Sequence, residues 1–353
     1  MMLGRILSGD TPRSRTLTVL LIAIVAGLAL APFVFPGAKP LNVAAKICIF
    51  IVLVASYDLL LGYTGIVSFA HTMFFGIGAY GVAIALTRMG ASWTAVAAGM
   101  ACSLALSFAL SLLIGLFSLR VKAMFYAMIT LAVASAFQTL ASQLSEITGG
   151  EDGLNFKVPE LLSPGFSLTE QPFLGVTLDG KTISYYLLFA LTLALFLVML
   201  RIVNSPFGRV LQAIRENAFR AEALGYRTVV YRTASNVLSA GFATLSGALL
   251  ALWLRYNGPD TSLSFDIMID ILLMVVIGGM GTMYGAVIGA TLFIIAQNYL
   301  QDLMKHASDA LSGIHFLSSL VHPDRWLLWL GILFILSVYR FPTGIVGKLR
   351  DKK

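Results

Sequence analysis

The sequence predicts an all-α, polytopic helical membrane protein with about ten transmembrane spans and both termini in the cytoplasm. Three observations carry that reading. Of 353 residues, 58% are hydrophobic and only 12% are charged, against roughly 25% charged in soluble chains. Apolar runs long enough to cross a bilayer recur along most of the chain, and in hydrocarbon only helices and closed barrels satisfy their own backbone. Finally, Lys and Arg collect in loops and at the termini, so the net charge of +7 is a topology signal rather than a mark of nucleic-acid binding.

Spans are expected at 17–35, 41–61, 66–87, 93–117, 123–144, 183–203, 233–254, 266–280, 284–303 and 326–340, forming one transmembrane domain over 17–340 between cytoplasmic tails 1–16 and 341–353. The first has basic flanks (Arg5, Arg13, Arg15) but is longer than a signal-peptide core, so it reads as a retained span. Ten crossings from an inside N-terminus place Arg120, Lys122, Arg340, Lys348, Arg350, Lys352 and Lys353 in the cytoplasm. The loop 145–182 falls outside, where Lys157 and Lys181 are the basic residues among six acidic ones.

The stretch 204–231 is the longest basic, water-compatible segment between apolar runs. Arg209, Arg215, Arg220 and Arg227 stand there with Glu216 and Glu222. Asn204 or Ser205 can cap a helix, Pro206 suits a first helical position, and Gly225 suits its end. Leu211, Ile214, Ala218, Ala221 and Leu224 recur at helical spacing, and Glu216 precedes Arg220 by four residues, the order that favours a surface pair. The expectation is one short amphipathic cytoplasmic helix, the handle for another protein.

Two glycine-rich turns interrupt the spans, one in each half: Gly62 to Tyr80 and Ile277 to Gly289. The span before the second is about 15 residues, short of the ~20 a straight crossing needs. Broken segments in both halves point to a transport path at a repeat interface; close helix packing through small residues is the alternative.

Other motifs exclude function classes. Gly76-Ile-Gly-Ala-Tyr-Gly81 spells a dinucleotide turn, but inside an apolar span it predicts close helix approach. Gly344-Ile-Val-Gly347-Lys348 lacks the first glycine and the Ser/Thr of a phosphate loop. No nucleophile–base pair, metal-ligand spacing or cofactor motif is found, so catalytic and metal residues are none and no cofactor is expected. Cys48 and Cys102 lie in apolar runs and read as packing residues. His71 reads as a hydrogen-bonded packing residue within a span, with His306, His315 and His322 scattered near the last outer loop. Asp58, near the cytoplasmic end of its span, is expected to reach water or a backbone donor, and Lys46 to snorkel outward. Asp266 and Asp270 mark an outer helix start.

Four segments in matching order resemble the permeases of branched-chain amino acid ABC importers, on the LivM side of the LivH/LivM pair. They are Asp58 to Tyr80; Thr148-Gly-Gly-Glu-Asp-Gly-Leu154; Ser205-Pro-Phe-Gly-Arg209 continuing through Ala213-Ile-Arg-Glu-Asn217 and Ala221-Glu-Ala-Leu-Gly225; and Val276 to Gly285. The resemblance implies a subunit of the bacterial inner membrane, in contact with membrane lipid. It would work with a second, LivH-like permease, two cytoplasmic ATPases that supply ATP hydrolysis, and a periplasmic solute-binding protein. It makes Arg215, Glu216, Asn217, Ala221, Glu222, Ala223 and Gly225 the ATPase-coupling residues, in a form degenerate from EAA-x-x-x-Gly. Gly62, Gly65, Ser68, His71, Gly278, Gly279 and Gly281 are the residues expected to line the path. Asp58 replaces an expected Asn, and Ala70-His71-Thr72 replaces Gly-His-Ala. The solute therefore stays open between a branched-chain amino acid and urea or short amides. A stand-alone proton-coupled carrier using Asp58 and His71 is the rival from another class, and a membrane enzyme a weaker third.

Overall fold

The computed structural model describes residues 14–34, 37–118, 123–167, 179–310 and 322–351. Arg5, Arg13, Arg120, Lys122, His315, Lys352, Lys353 and the loop section 168–178 lie outside the described residues. Among the described residues, ten helices are long and apolar enough to cross a membrane. They run in the expected order: α1 (Arg15–Val34), α2 (Ala38–Thr64), α3 (His71–Met89), α4 (Trp93–Ser118), α5 (Ala123–Gln143) and α6 (Gly180–Asn204) precede the basic stretch. That stretch forms α7 (Pro206–Glu216) and α8 (Ala218–Ala223). Then follow α9 (Thr228–Leu254), α10 (Phe265–Gly278), α11 (Met283–Ala310), α12 (Trp326–Arg340) and the short α13 (Gly344–Asp351).

The chain is arranged around α2. Ninety-four per cent of its apolar window is buried, and it packs against α1, α6, α7, α9, α10 and α11. Lipid is as apolar as leucine, so burial alone gives little reason for helices to associate in a bilayer; small residues and polar links supply it. The sequence provides both. Ser235, Ser239 and Ser246 on α9 donate to the α2 carbonyls of Leu59 (3.3 Å), Ser56 (2.6 Å) and Ile49 (2.8 Å), and Thr192 on α6 donates to Cys48 O at 3.3 Å. The α3–α9 contact closes at Gly78 and Gly247, where a Cβ would collide with the carbonyls of Thr244 and Phe75 respectively. The α3–α4 contact closes at Gly81 against Gly99 and Ser103. The Gly76–Gly81 run is thus a helix-packing surface, as its spelling inside an apolar span predicts.

At the end opposite α7 and α8, the loop after α5 is more ordered than the sequence suggests. A one-turn helix, Ser145–Thr148, leads through Gly149, Gly150 and Gly153, all at positive φ, into β1 (Leu154–Asn155). This strand pairs antiparallel with β2 (Tyr256–Asn257), which follows α9.

Four expectations are corrected. The third membrane helix begins at His71 rather than residue 66, because Gly65 ends α2 in a left-handed turn (φ 71°) and residues up to Ala70 stay non-helical. The basic stretch is two helices, because Asn217 adopts an extended backbone (φ −159°) and caps α8 by accepting from Arg220 N at 2.9 Å. With that break Glu216 and Arg220 no longer share a helix, and among the described residues no ion pair joins them. Lys46 does not run outward alone: its Nζ donates to Gln297 Oε1 on α11 at 3.1 Å.

Two substitutions separate packing from polar linkage. Gly247→Val should cost at least the ~1–3 kcal/mol of ordinary overpacking, because the collision is with backbone. Ser246→Ala should cost about 0.6 kcal/mol, the usual worth of an interhelical hydrogen bond in a membrane. Thermal midpoints in detergent should rank Gly247→Val far below Ser246→Ala, with Ser246→Ala close to the parent.

Candidate functional site

The two glycine-rich turns meet. Asp58, six residues before the end of α2, accepts from the backbone N–H of Gly281 at 2.8 Å through Oδ1. A Cβ at Gly62 would stand within 2.7 Å of the Asp58 carboxyl carbon, and one at Gly281 would stand 3.0 Å from Gly62 O. Only residues without side chains let the turns approach this closely. Asp58 is 1% exposed, so the expectation that it reaches water fails; its alternative, a backbone donor, is what the fold supplies. The turn at 279–281 exists because Gly279 (φ 118°) and Gly281 (φ 80°) take backbone conformations that side chains disfavour. It ends α10, whose 14 residues alone cover ~21 Å; only together with the preceding turn, as the 20-residue segment Pro259–Gly278, does it reach the length of a crossing.

The same junction receives α7. Ser205 caps it by accepting from Gly208 N at 3.5 Å, with Pro206 in the first turn. Gly208 lets the chain fold back on the last turn of α6, since a Cβ there would strike the Val203 carbonyl. Leu211 and Ile214 are buried, which sets α7 against α2 and α6. Arg215 then reaches the junction: its Nη1 donates to Gly62 O, and its Cγ lies 3.3 Å from the position of a Cβ on Gly65. Past the break at Asn217, Ala221 is buried and α8 ends in a Schellman turn, with Gly225 N on Glu222 O (2.9 Å) and Tyr226 N on Ala221 O (3.1 Å). Glu222 accepts from Thr228 Oγ1 at the start of α9. The loop is therefore tied to α2 through Arg215 and to α9 through Glu222.

The break also decides what the loop displays. Leu224, expected on the apolar stripe, is 72% exposed, and Phe219, which the sequence reading passed over, is 83% exposed. Ala223 lies beside them, exposed. The signal that could have found Phe219 is Asn217 itself, a strong N-cap residue that resets the helical register by starting a new helix.

Deeper in the membrane, the non-helical residues before α3 find polar partners on α5 and within their own segment. Phe69 N donates to Thr130 Oγ1 on α5 at 3.0 Å, and Ala70 N to Ser68 Oγ at 3.3 Å. This is how irregular backbone survives at membrane depth. His71 Nε2 pairs with Ser56 Oγ at 2.8 Å, and its ring packs 5.1 Å from that of Tyr57. Nearby, Asn236 on α9 donates to Ser111 O at 2.8 Å and accepts from Tyr126 OH at 3.4 Å. Ser68 and His71 are 2% and 1% exposed. In this arrangement the expected path residues are brought into two neighbouring groups, Gly62, Gly65, Gly278, Gly279 and Gly281 at the junction and Ser68 with His71 behind it. Most of them are closed in by packing, while Gly65 is exposed. Tyr126, Thr130 and Asn236 are the members the sequence did not single out; polar side chains inside apolar spans were the available signal.

Comparison with known proteins adds an independent line. A family profile described as the permease component of branched-chain amino acid transport systems matches residues 39–337. The chain is 26% identical over 334 residues to the high-affinity branched-chain amino acid transport system permease protein LivM of Salmonella typhimurium, covering 91% of this chain and 76% of that one. It is 25% identical over 311 residues to the permease protein BraD of Pseudomonas aeruginosa, covering 84% and 91%. Over 186 residues it is 30% identical to the autoinducer 2 import system permease protein LsrC of Salmonella typhi, covering 50% and 49%. No solved structure matches significantly.

If the Asp58–Gly281 link is what holds the turns together, the acceptor matters more than the charge. Asp58→Asn, which keeps a carbonyl oxygen in place, should leave the thermal midpoint near that of the parent. Asp58→Leu orphans the Gly281 N–H and should cost about 1–3 kcal/mol, read as a lowered midpoint in detergent.

Proposed function

Because the chain belongs to the branched-chain amino acid transport system permease family, whose members are transport subunits, we propose that this multi-pass inner-membrane protein forms half of the translocation path of an ATP-driven importer for a small polar solute, a branched-chain amino acid. The other half is a LivH-like second permease. Two cytoplasmic ATPases supply the energy, and a periplasmic solute-binding protein delivers the solute.

One observation carries the reading: the α7–α8 loop is tied by Arg215 to the end of α2 and by Glu222 to the start of α9, while Phe219 and Leu224 project from it. A partner that grips those two apolar side chains moves both anchors together. Arg215, Glu216, Asn217, Ala221, Glu222, Ala223 and Gly225 then act as the coupling segment, with Arg215 and Glu222 as its two links. Nucleotide binding in the ATPases shifts the loop, the junction of the glycine turns separates, and the path alternates between outward and inward openings. Gly62, Gly65, Ser68, His71, Gly278, Gly279 and Gly281 border the path when it opens. The loop end is cytoplasmic and the β1–β2 end periplasmic, where the binding protein docks.

The solute admits a second reading, since a relative matched over half the chain is named for autoinducer 2 import; urea and short amides stay within the same class. A proton-coupled carrier is less well supported, because Asp58 and His71 are each engaged by a different partner, Gly281 and Ser56.

Reconstituted with its partner permease, ATPases and binding protein, the chain should take up leucine only when ATP and the binding protein are both present. Phe219→Glu should abolish uptake while the variant still folds and inserts. Uptake by the single chain driven by a proton gradient would overturn the proposal. Topology gives a separate check: a cysteine in Glu216→Cys should react with an impermeant reagent from the cytoplasmic side of oriented vesicles and resist it from the other.

A further inference from the structure

At the periplasmic half, opposite the coupling junction, a stripe of charged and amide side chains runs down one face of the chain. Lys39, Asn42 and Lys46 lie on one face of α2 at i, i+3 and i+7. Asp266 and Asp270 occupy successive turns of α10, and Gln297, Asn298 and Asp302 lie on α11. The consecutive helices α10 and α11 and the distant α2 thus bring them together. At the outer end, Lys39 pairs with Asp302 and sits 5.4 Å over the ring of Tyr299. Further in, Lys46 Nζ donates to Gln297 Oε1 at 3.1 Å, and Gln297 Nε2 donates to Asp270 Oδ2 at 3.3 Å. One amide bridges an ammonium and a carboxylate.

The depth and exposure of this group do not fit a lipid-facing surface. Lys46 lies eight residues into α2 from Ala38, about 12 Å along the helix, and Asp270 is five residues into α10. Neither is sealed inside the chain: Lys46, Asp270 and Gln297 are all partly exposed, and Asn42 is exposed. Lys46 could extend its stem toward the interface, yet its ammonium is drawn to Gln297 instead. Asp270 is too short to escape. Ionisable groups at this depth face a bundle interior or a water-filled cavity, not hydrocarbon.

We propose that this stripe lines the water-filled outer half of the translocation path, and that Lys46 and Asp270 form a solute subsite for a zwitterion. The inference rests on the transport role proposed above. The solute carboxylate takes the Lys46 ammonium, the solute ammonium takes Asp270, and Gln297 is released from its bridging position. When the site is empty both charged groups are hydrogen-bonded by the neutral Gln297 amide; when it is full each is paired with the opposite charge of the solute, so occupancy exchanges hydrogen bonds for ion pairs and leaves neither group without a partner. Because α10 carries Asp270 and ends at the Gly279–Gly281 turn, the subsite and the coupling junction sit on one short helix.

The test has two arms in the complete transporter in proteoliposomes, with Cys102→Ser as background. In the first, a cysteine in Asp270→Cys is exposed to a charged, membrane-impermeant thiosulfonate. Modification from the binding-protein side is expected. Reaction confined to a membrane-partitioning maleimide, or no reaction with either, would place the position against lipid or protein and overturn the proposal. This arm does not depend on uptake, so it stands apart from any failure of the transport reading, which would appear as absent ATP-driven uptake by the parent. In the second arm, Lys46→Met with Asp270→Leu removes both charges together, which spares the fold an unpaired ion. Leucine moved per ATP hydrolysed should fall about tenfold or more, with ATP hydrolysis stimulated by the binding protein retained. An unchanged ratio overturns the subsite.

Discussion

Backbone that leaves the helical path inside a membrane must find its hydrogen-bond partners in the protein, since hydrocarbon offers none. Among the described residues this chain departs from it at Gly65–Ala70 and at Gly279–Thr282, and it meets the demand by folding the second departure against the end of α2 that leads into the first. Asp58 answers the Gly281 N–H, Arg215 answers the Gly62 carbonyl, and Thr130 answers the Phe69 N–H. Much of what surrounds the junction follows from that. The glycines permit the approach, α10 stops at the turn, and the end of α2 holds one side of the contact.

This arrangement is suited to passing on movement. A contact made of a few directed hydrogen bonds between rigid helices has discrete arrangements, unlike a broad apolar surface, which can slide. The loop that carries Arg215 contacts the junction directly, and through Glu222 it also contacts α9, whose serines bind the backbone of α2. The two most enclosed helices are consequently held by one external loop. Arg215 is well chosen for this role, as a guanidinium offers several donors in a planar fork and can exchange one carbonyl for another.

Sequence reading was most informative where the signal is length and composition. Ten spans were legible because an apolar run of that length has few other uses, and Ser205-Pro206 and Gly225 marked the ends of the basic stretch because capping is local chemistry. It was least informative where a residue's meaning depends on a distant segment. Asp58 looked interfacial by its position near a helix end; it is buried because the turn 223 residues away folds over it. Lys46, Gln297 and Asp270 belong to no motif and share no local pattern, so only the packing of α2, α10 and α11 unites them. Asn217 is an intermediate case. Its capping preference was visible, but the helical period of Leu211, Ile214, Ala218, Ala221 and Leu224 ran straight through it. The structure follows the cap, which turns Phe219 and Leu224 outward.

The contact between the loop and the end of α2 can be locked directly. A Cβ at Gly65 would lie 3.9 Å from that of Arg215, close to the ~3.8 Å typical across a disulfide. Gly65→Cys combined with Arg215→Cys should cross-link on mild oxidation in the assembled transporter. Oxidation should then stop ATP-driven uptake, and reduction should restore whatever activity the reduced double variant has. A cross-link that forms fully and leaves uptake at the level of the reduced variant would mean that the junction need not open, and the account of coupling through it would be wrong.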